Sequence, residues 1–115
     1  MDLIKVKGKI IKGKGKGKDF GFPTANMAIS REIDSGVYYG KVAIGSIKYQ
    51  AALFIPPDGK ILEVHVLGFD GDLYEKEIEV IIEGKLREAI GFKSEEELIA
   101  QIKEDVAKIK RMWKV

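Results

Sequence analysis

From Ile4 to Ile82 apolar residues recur at every second position in short runs, and glycine- or proline-containing breaks separate those runs. Two-residue alternation marks strands with one buried and one wet face. Ile4, Val6 and Ile10 alternate with Lys5, Lys7 and Lys9 in the first such run. Gly36–Ile44 and Ile47–Ile55 form the next two, separated by Gly45-Ser46, a two-residue hairpin signal. Leu62–Leu67 follows the Pro56-Pro57-Asp58-Gly59 break, and Ile78, Val80 and Ile82 alternate with Glu77 and Glu79 after a turn at Asp70-Gly71-Asp72.

The period changes once. Leu98, Ile99, Ile102, Val106 and Ile109 lie at helical spacing behind a capping box, Ser94-Glu95-Glu96-Glu97, and Lys108, Lys110 and Arg111 suit the negative end of a helix dipole. No strand–helix–strand alternation precedes it. The pattern therefore predicts a mainly β fold: about six short strands in one small antiparallel barrel, closed by one C-terminal helix. At 115 residues and 45% hydrophobic, residues 1–115 make one domain able to bury a core.

Composition removes several chemistries. The absence of cysteine excludes disulfides, thiolate metal sites and cysteine nucleophiles, and a lone histidine, His65, excludes multi-histidine centres. His65 itself reads as a structural residue. No apolar run approaches the ~18 residues that span a bilayer, and the start, MDLIKVKGK, lacks the features of a signal peptide. A cytoplasmic protein is expected, with no membrane partner.

Charge is distributed unevenly. Residues 1–18 carry seven lysines and one acid, a balance of +6, so the total of +2 leaves −4 for the remainder. A basic end on a mildly acidic body suits an anion such as a phosphate or a nucleic acid. Gly13, Gly15, Gly17 and Gly21 interrupt the lysines, leaving backbone N–H groups open to an anion. This is no Walker A loop, because Lys12 and Asp19 stand where that motif needs Gly and Ser or Thr; Lys18 likewise breaks GxGxxG. The following Pro23-Thr24-Ala25-Asn26 offers two neutral oxygens that suit Mg²⁺, although Thr and Asn after Pro are ordinary turn formers.

The glycines together with Gly21-Phe22-Pro23-Thr24-Ala25-Asn26 resemble the signature of the riboflavin kinase (flavokinase) family, a domain also found at the C-terminal end of bifunctional FAD synthetases. The resemblance continues through Ser35-Gly36-Val37-Tyr38-Tyr39-Gly40, Leu62-Glu63-Val64-His65-Val66-Leu67, Asp72-Leu73-Tyr74 and Leu86-Arg87 to Phe92, Ser94, Glu97-Leu98-Ile99, Gln101-Ile102 and Asp105. It implies a six-stranded antiparallel Greek-key barrel with one C-terminal helix, and transfer of the γ-phosphate of ATP to the 5′-hydroxyl of riboflavin, giving FMN and ADP. It implies that Gly13, Gly15, Lys16, Gly17, Lys18, Gly21, Pro23 and Tyr74 contact the nucleotide. Thr24 and Asn26 match the metal-binding pair, for Mg²⁺ or another divalent ion such as Zn²⁺ or Mn²⁺. Glu63 matches the catalytic base, and Arg87 and Phe92 fall on the flavin side. A monomer acting on small molecules is expected, without nucleic acid. The chain departs from the family pattern in a shorter stretch between Ala51 and Glu63, and in Glu88-Ala89 after Arg87, where the family continues with Pro and Glu. Two other readings are a flavin-binding module without catalysis and a basic barrel that binds nucleic acid, the latter short of aromatics among its lysines until Phe20 and Phe22.

Overall fold

The computed structural model describes residues 3–11, 25–29, 33–57, 59–69, 76–88 and 94–112. Six strands are found there: β1 (Ile4–Ile11), β2 (Ala25–Ala28), β3 (Gly36–Ile44), β4 (Ile47–Ile55), β5 (Ile61–Val66) and β6 (Glu77–Arg87). One helix, α1 (Glu95–Met112), follows. The strands close into a barrel in the order β1-β2-β5-β4-β3-β6, every pairing antiparallel. The consecutive strands β3, β4 and β5 lie side by side and β6 returns beside β3, which is a Greek key. The expected fold is therefore the observed one.

Alternation decides which side chains go inside. Val6 and Ile10 of β1, Met27 of β2, Tyr38 and Val42 of β3, and Ala51, Leu53 and Ile55 of β4 fill the barrel. Leu62 and Val64 of β5 and Ile78, Val80 and Ile82 of β6 complete that core. β3 and β4 form the expected hairpin: Ile44 pairs with Ile47 around Gly45, whose φ of 63° a residue with a Cβ adopts only at a cost. Register shifts between β3 and β6 at Val37/Tyr38 and Tyr39/Gly40 bend the sheet there. Gly84 lies opposite Tyr39, and a Cβ at that glycine would run into the Tyr39 ring, so the aromatic covers the gap that the glycine leaves.

β2 was not evident from periodicity. The sequence suggests a turn or a ligand loop around Pro23–Asn26, whereas Ala25–Ala28 is a strand pairing with β1 on one side and β5 on the other. Four residues are too few for alternation to declare itself. Met27 points inward with no exposed surface, and Ala25 on the same face is only partly buried against the core.

α1 packs on the outside of the barrel. Ile102, Val106 and Ile109 meet Tyr39, Ala52, Leu67 and Leu86 in a second apolar cluster. The Ser94 hydroxyl accepts from the Glu97 N–H at 3.2 Å, the half of the capping box that stabilises the first turn. At the far end Gln50 of β4 donates its amide to the Ile109 carbonyl at 2.9 Å, satisfying one of the orphan carbonyls of the last turn.

Candidate active site

Barrel topology brings together two residues that lie far apart in the chain. Asn26 of β2 and Glu63 of β5 are register partners, so their side chains share the outer face of the barrel with Cβ atoms about 5 Å apart. Leu62 and Val64 are buried in the core, which sends Glu63 and His65 outward, as alternation predicts. Glu63 is half-buried on a strand paired on both sides, by β2 and by β4. A carboxylate carried this way holds its position better than one on a loop.

Asn26 is chemically the most telling of the described residues. Its side-chain oxygen, Oδ1, is buried and accepts no hydrogen bond among them. Leaving such an oxygen unsatisfied costs about 1–3 kcal/mol, and native structures tolerate the cost chiefly where a water, an ion or a ligand completes the site. The partner of Asn26 on its other flank is Ile11, the last residue of β1. The two ends of the glycine–lysine segment, Ile11 and Ala25, are therefore both held beside Asn26. Lys76, which leads into β6, accepts from the Ile10 N–H at 2.9 Å and so ends the 70–75 connection near the same strand.

The row continues across the sheet. Glu63 is opposite Phe54 of β4, Phe54 is opposite Val37 of β3, and Val37 is opposite Arg87 of β6. Arg87 forms a two-pronged ion pair with Asp105 of α1, Nε to Oδ1 at 3.1 Å and Nη2 to Oδ2 at 2.8 Å, and also donates Nη1 to the Glu88 carbonyl at 3.0 Å. Gln101, one turn earlier on α1, donates to the same Asp105 oxygen at 3.0 Å. Asp105 is the one buried charged residue among those described, at 5% exposure. A buried carboxylate is tolerated when paired and hydrogen-bonded as this one is. Arg87 thus fastens the end of β6 to the helix, a role that the sequence alone did not suggest.

A second polar group lies at Tyr38, whose ring is in the core while its hydroxyl donates to the Asp34 carbonyl at 2.7 Å. Burial raises the Tyr38 pKa above the ordinary 10.0. Lys85 sits 5.9 Å from the centre of that ring and bonds Glu88 at 2.8 Å; the hydrogen bond to Glu88 raises the lysine pKa. A concavity of about 630 Å³, lined by Leu3, Tyr39, Lys41, Gln50, Ile109 and Met112, lies beside the end of α1 and includes none of the expected site residues.

Of the residues expected from sequence, Asn26 and Glu63 are brought together, and Arg87 stands at the far end of their row. Gly13, Gly15, Lys16, Gly17, Lys18, Gly21, Pro23, Thr24, Tyr74 and Phe92 lie outside the described residues, as does the turn at Asp70-Gly71-Asp72.

Comparison with known proteins identifies the family. A sequence profile described as riboflavin kinase matches residues 2–113. The chain belongs to the riboflavin kinase family. Among curated relatives, the bifunctional riboflavin kinase/FMN adenylyltransferase of Buchnera aphidicola subsp. Schizaphis graminum is 31% identical over 119 residues, covering 94% of this chain and 38% of the relative. The protein of the same description from Pseudomonas fluorescens is 36% identical over 113 residues, covering 90% of this chain and 36% of the relative. The chain thus spans under two fifths of the length of these relatives. Among solved structures, a chain titled macrolide-efflux protein from Streptococcus pneumoniae superposes with a TM-score of 0.81 at 28% identity, over 96% of this chain and 39% of that one. Riboflavin kinase from Trypanosoma brucei has the same fold, with a TM-score of 0.70 at 22% identity over 97% of this chain and 78% of that one. No described helix of this family member is long and apolar enough to cross a membrane.

Proposed function

We propose that this protein is a riboflavin kinase, transferring the γ-phosphoryl group of ATP to the ribityl 5′-hydroxyl of riboflavin. The observation that carries the reading is the buried, unpartnered Asn26 Oδ1 directly opposite Glu63 across β2 and β5. It pairs an oxygen in want of a ligand with a carboxylate able to take a proton. In the reaction the 5′-oxygen bonds to the γ-phosphorus, the bond from that phosphorus to the β–γ bridging oxygen breaks, and ADP leaves. Glu63 accepts the proton of the attacking hydroxyl as the new bond forms.

A neutral amide oxygen is a suitable ligand for a hard divalent cation, which keeps most of its shell for phosphates and water. Asn26, with the Thr24 hydroxyl two positions earlier, would hold Mg²⁺ here. When bound, the ion would neutralise charge on the transferring phosphates. The glycines and lysines from Gly13 to Lys18, with Gly21, Pro23 and Tyr74, would hold the nucleotide, because glycine-rich backbone and cationic side chains stabilise phosphate charge without reorganising. Arg87 and Phe92 would bound the flavin side.

The test is a chromatographic assay of the purified protein with riboflavin, Mg²⁺ and ATP or CTP. FMN in equal amount to ADP or CDP is expected, and it names the donor. Riboflavin that is bound but never phosphorylated would overturn the kinase reading in favour of a binding module. The Glu63→Gln variant should lose turnover while still binding nucleotide. Near-normal turnover in that variant would remove Glu63 from the mechanism.

A further inference from the structure

Arg87 spends its guanidinium on the protein itself. Nε and Nη2 donate to the two Asp105 oxygens at 3.1 and 2.8 Å, and Nη1 donates to the Glu88 carbonyl at 3.0 Å. The Glu88 side chain is held as well, by Lys85 at 2.8 Å. Asp105 is engaged just as fully, because its Oδ1 also accepts from the Gln101 amide at 3.0 Å. α1 therefore sets the guanidinium, and the guanidinium sets the point at which the chain leaves β6.

Stability alone does not call for such an arrangement. A buried ion pair contributes little that a well-packed apolar pair would not, because desolvating both charges offsets their attraction. What the two-pronged pair adds is direction: the planar fork fits a carboxylate in one coplanar arrangement. Adhesion is supplied otherwise, since Ile102, Val106 and Ile109 already hold α1 against the barrel. The pair thus fixes geometry where the helix is already attached.

That place has a definite position relative to the candidate site. The row Asn26, Glu63, Phe54, Val37 and Arg87 crosses the sheet from β2 to β6, and Arg87 stands at its far end. At about 4.8 Å per strand, Arg87 is roughly 14 Å from Glu63 along the sheet. The opposite end of the row is Ile11, where the glycine–lysine segment departs. β6 also pairs with β1, but only from Glu77 to Ile82, and Arg87 lies past that pairing. A disturbance at Arg87 therefore reaches Glu63 from the side away from the proposed nucleotide segment.

We propose that Asp105 and Gln101 are positioning residues for the acceptor side of the reaction: by orienting Arg87 they fix the start of the β6–α1 connection, and their loss weakens riboflavin binding while ATP binding stays intact. The proposal rests on the kinase reading for the identity of the acceptor. Both residues act through Arg87 and take no part in the proton or phosphoryl transfer.

Steady-state kinetics with riboflavin and ATP varied separately, together with riboflavin titrations read by quenching of flavin fluorescence, test the assignment on Asp105→Asn, Asp105→Glu, Gln101→Leu and Gln50→Ala. Asp105→Asn keeps the volume and removes the charge, and it should raise both KM and Kd for riboflavin about tenfold. Gln101→Leu leaves the fork in place and should raise them about threefold. Asp105→Glu keeps both oxygens and should recover most of the affinity. KM for ATP should stay within about twofold throughout. Gln50→Ala loosens the other end of α1 and should leave riboflavin affinity as it is, which separates positioning from a merely looser helix. Assays run well below the melting temperature of each variant, taken from circular dichroism, so that the folded fraction is the same in all. Riboflavin affinity unchanged in both Asp105→Asn and Gln101→Leu would overturn the proposal. So would a parallel rise in KM for ATP, or an equal loss of riboflavin affinity in Gln50→Ala. FMN production by the parent chain with no effect of Asp105 would sink this proposal and leave the kinase standing. Riboflavin binding that depends on Asp105, without FMN production, would sink the kinase and leave the positioning role. A parent chain that neither binds nor phosphorylates riboflavin would overturn both.

Discussion

The two halves of the barrel's outer face differ in how completely their polar groups are satisfied. Under α1, Gln50 reaches the Ile109 carbonyl, Asp105 receives Arg87 and Gln101, and the apolar residues between them interlock. Around β2 and the near ends of β4 and β5, Asn26 leaves a buried oxygen unpartnered and Phe54 packs with neither core. The first half is held by paired polar groups, and the second leaves one buried oxygen without a partner among the described residues. If the proposed site is right, stability and function occupy neighbouring stretches of the same strands, a few residues apart.

The sharpest test of that division is Glu63→Gln. On the ligand side, a lost general base should lower kcat by about 10²- to 10⁴-fold, a far larger effect than the substitution should have on unfolding free energy. A large loss of stability in urea melts would instead place Glu63 among the structural residues. Next in size, Arg87→Ala leaves Asp105 buried without its counter-ion, which should cost about 3–5 kcal/mol. Denaturant unfolding measures that cost, and a change below about 1 kcal/mol would mean that the pair behaves like an exposed one.

Asn26→Ala separates the two halves in the opposite sense. Removing an unsatisfied oxygen should leave the melting temperature of the ligand-free protein unchanged or slightly higher, while the Mg²⁺ concentration needed for half-maximal turnover rises. An unaltered Mg²⁺ dependence would detach Asn26 from the metal. Gln50→Ala, on the helix side, should cost about 1 kcal/mol without altering either KM. The smallest effect concerns alkali. Tyr38 has its folded-state pKa raised by burial, so its contribution to stability is complete below pH 10.0 and is lost as pH rises through the folded value. Melts across that range should show a decline that Tyr38→Phe reduces; an identical decline in the variant would assign the effect elsewhere.

Much of this architecture was legible in the chain because five strands and the helix repeat their period long enough to show a face. Ile4–Ile11 alternates cleanly, and Ile102, Val106 and Ile109 fall on one helical stripe. β2 escaped because its four residues contain one fully buried side chain, Met27. The opposition of Asn26 to Glu63 was illegible for a different reason: it depends on β2 pairing with β5, a long-range choice that no local pattern encodes. Resemblance to the family singled out both residues, but only the register sets them face to face. Asp105 was equally obscure, since an acid within an apolar stripe reads as wet until Arg87, 18 residues earlier, is seen to meet it.

Barrel closure carries a consequence for the order in which the molecule can assemble. β1 pairs along most of its length with β6, whose residues are Glu77–Arg87. During synthesis β1 therefore leaves the ribosome well before its partner β6, while β3 and β4 can zip through their short hairpin as soon as both are out. The lysine-bearing first strand spends that interval without its partner, and its charges, Lys5, Lys7 and Lys9, discourage pairing with another chain's open edge.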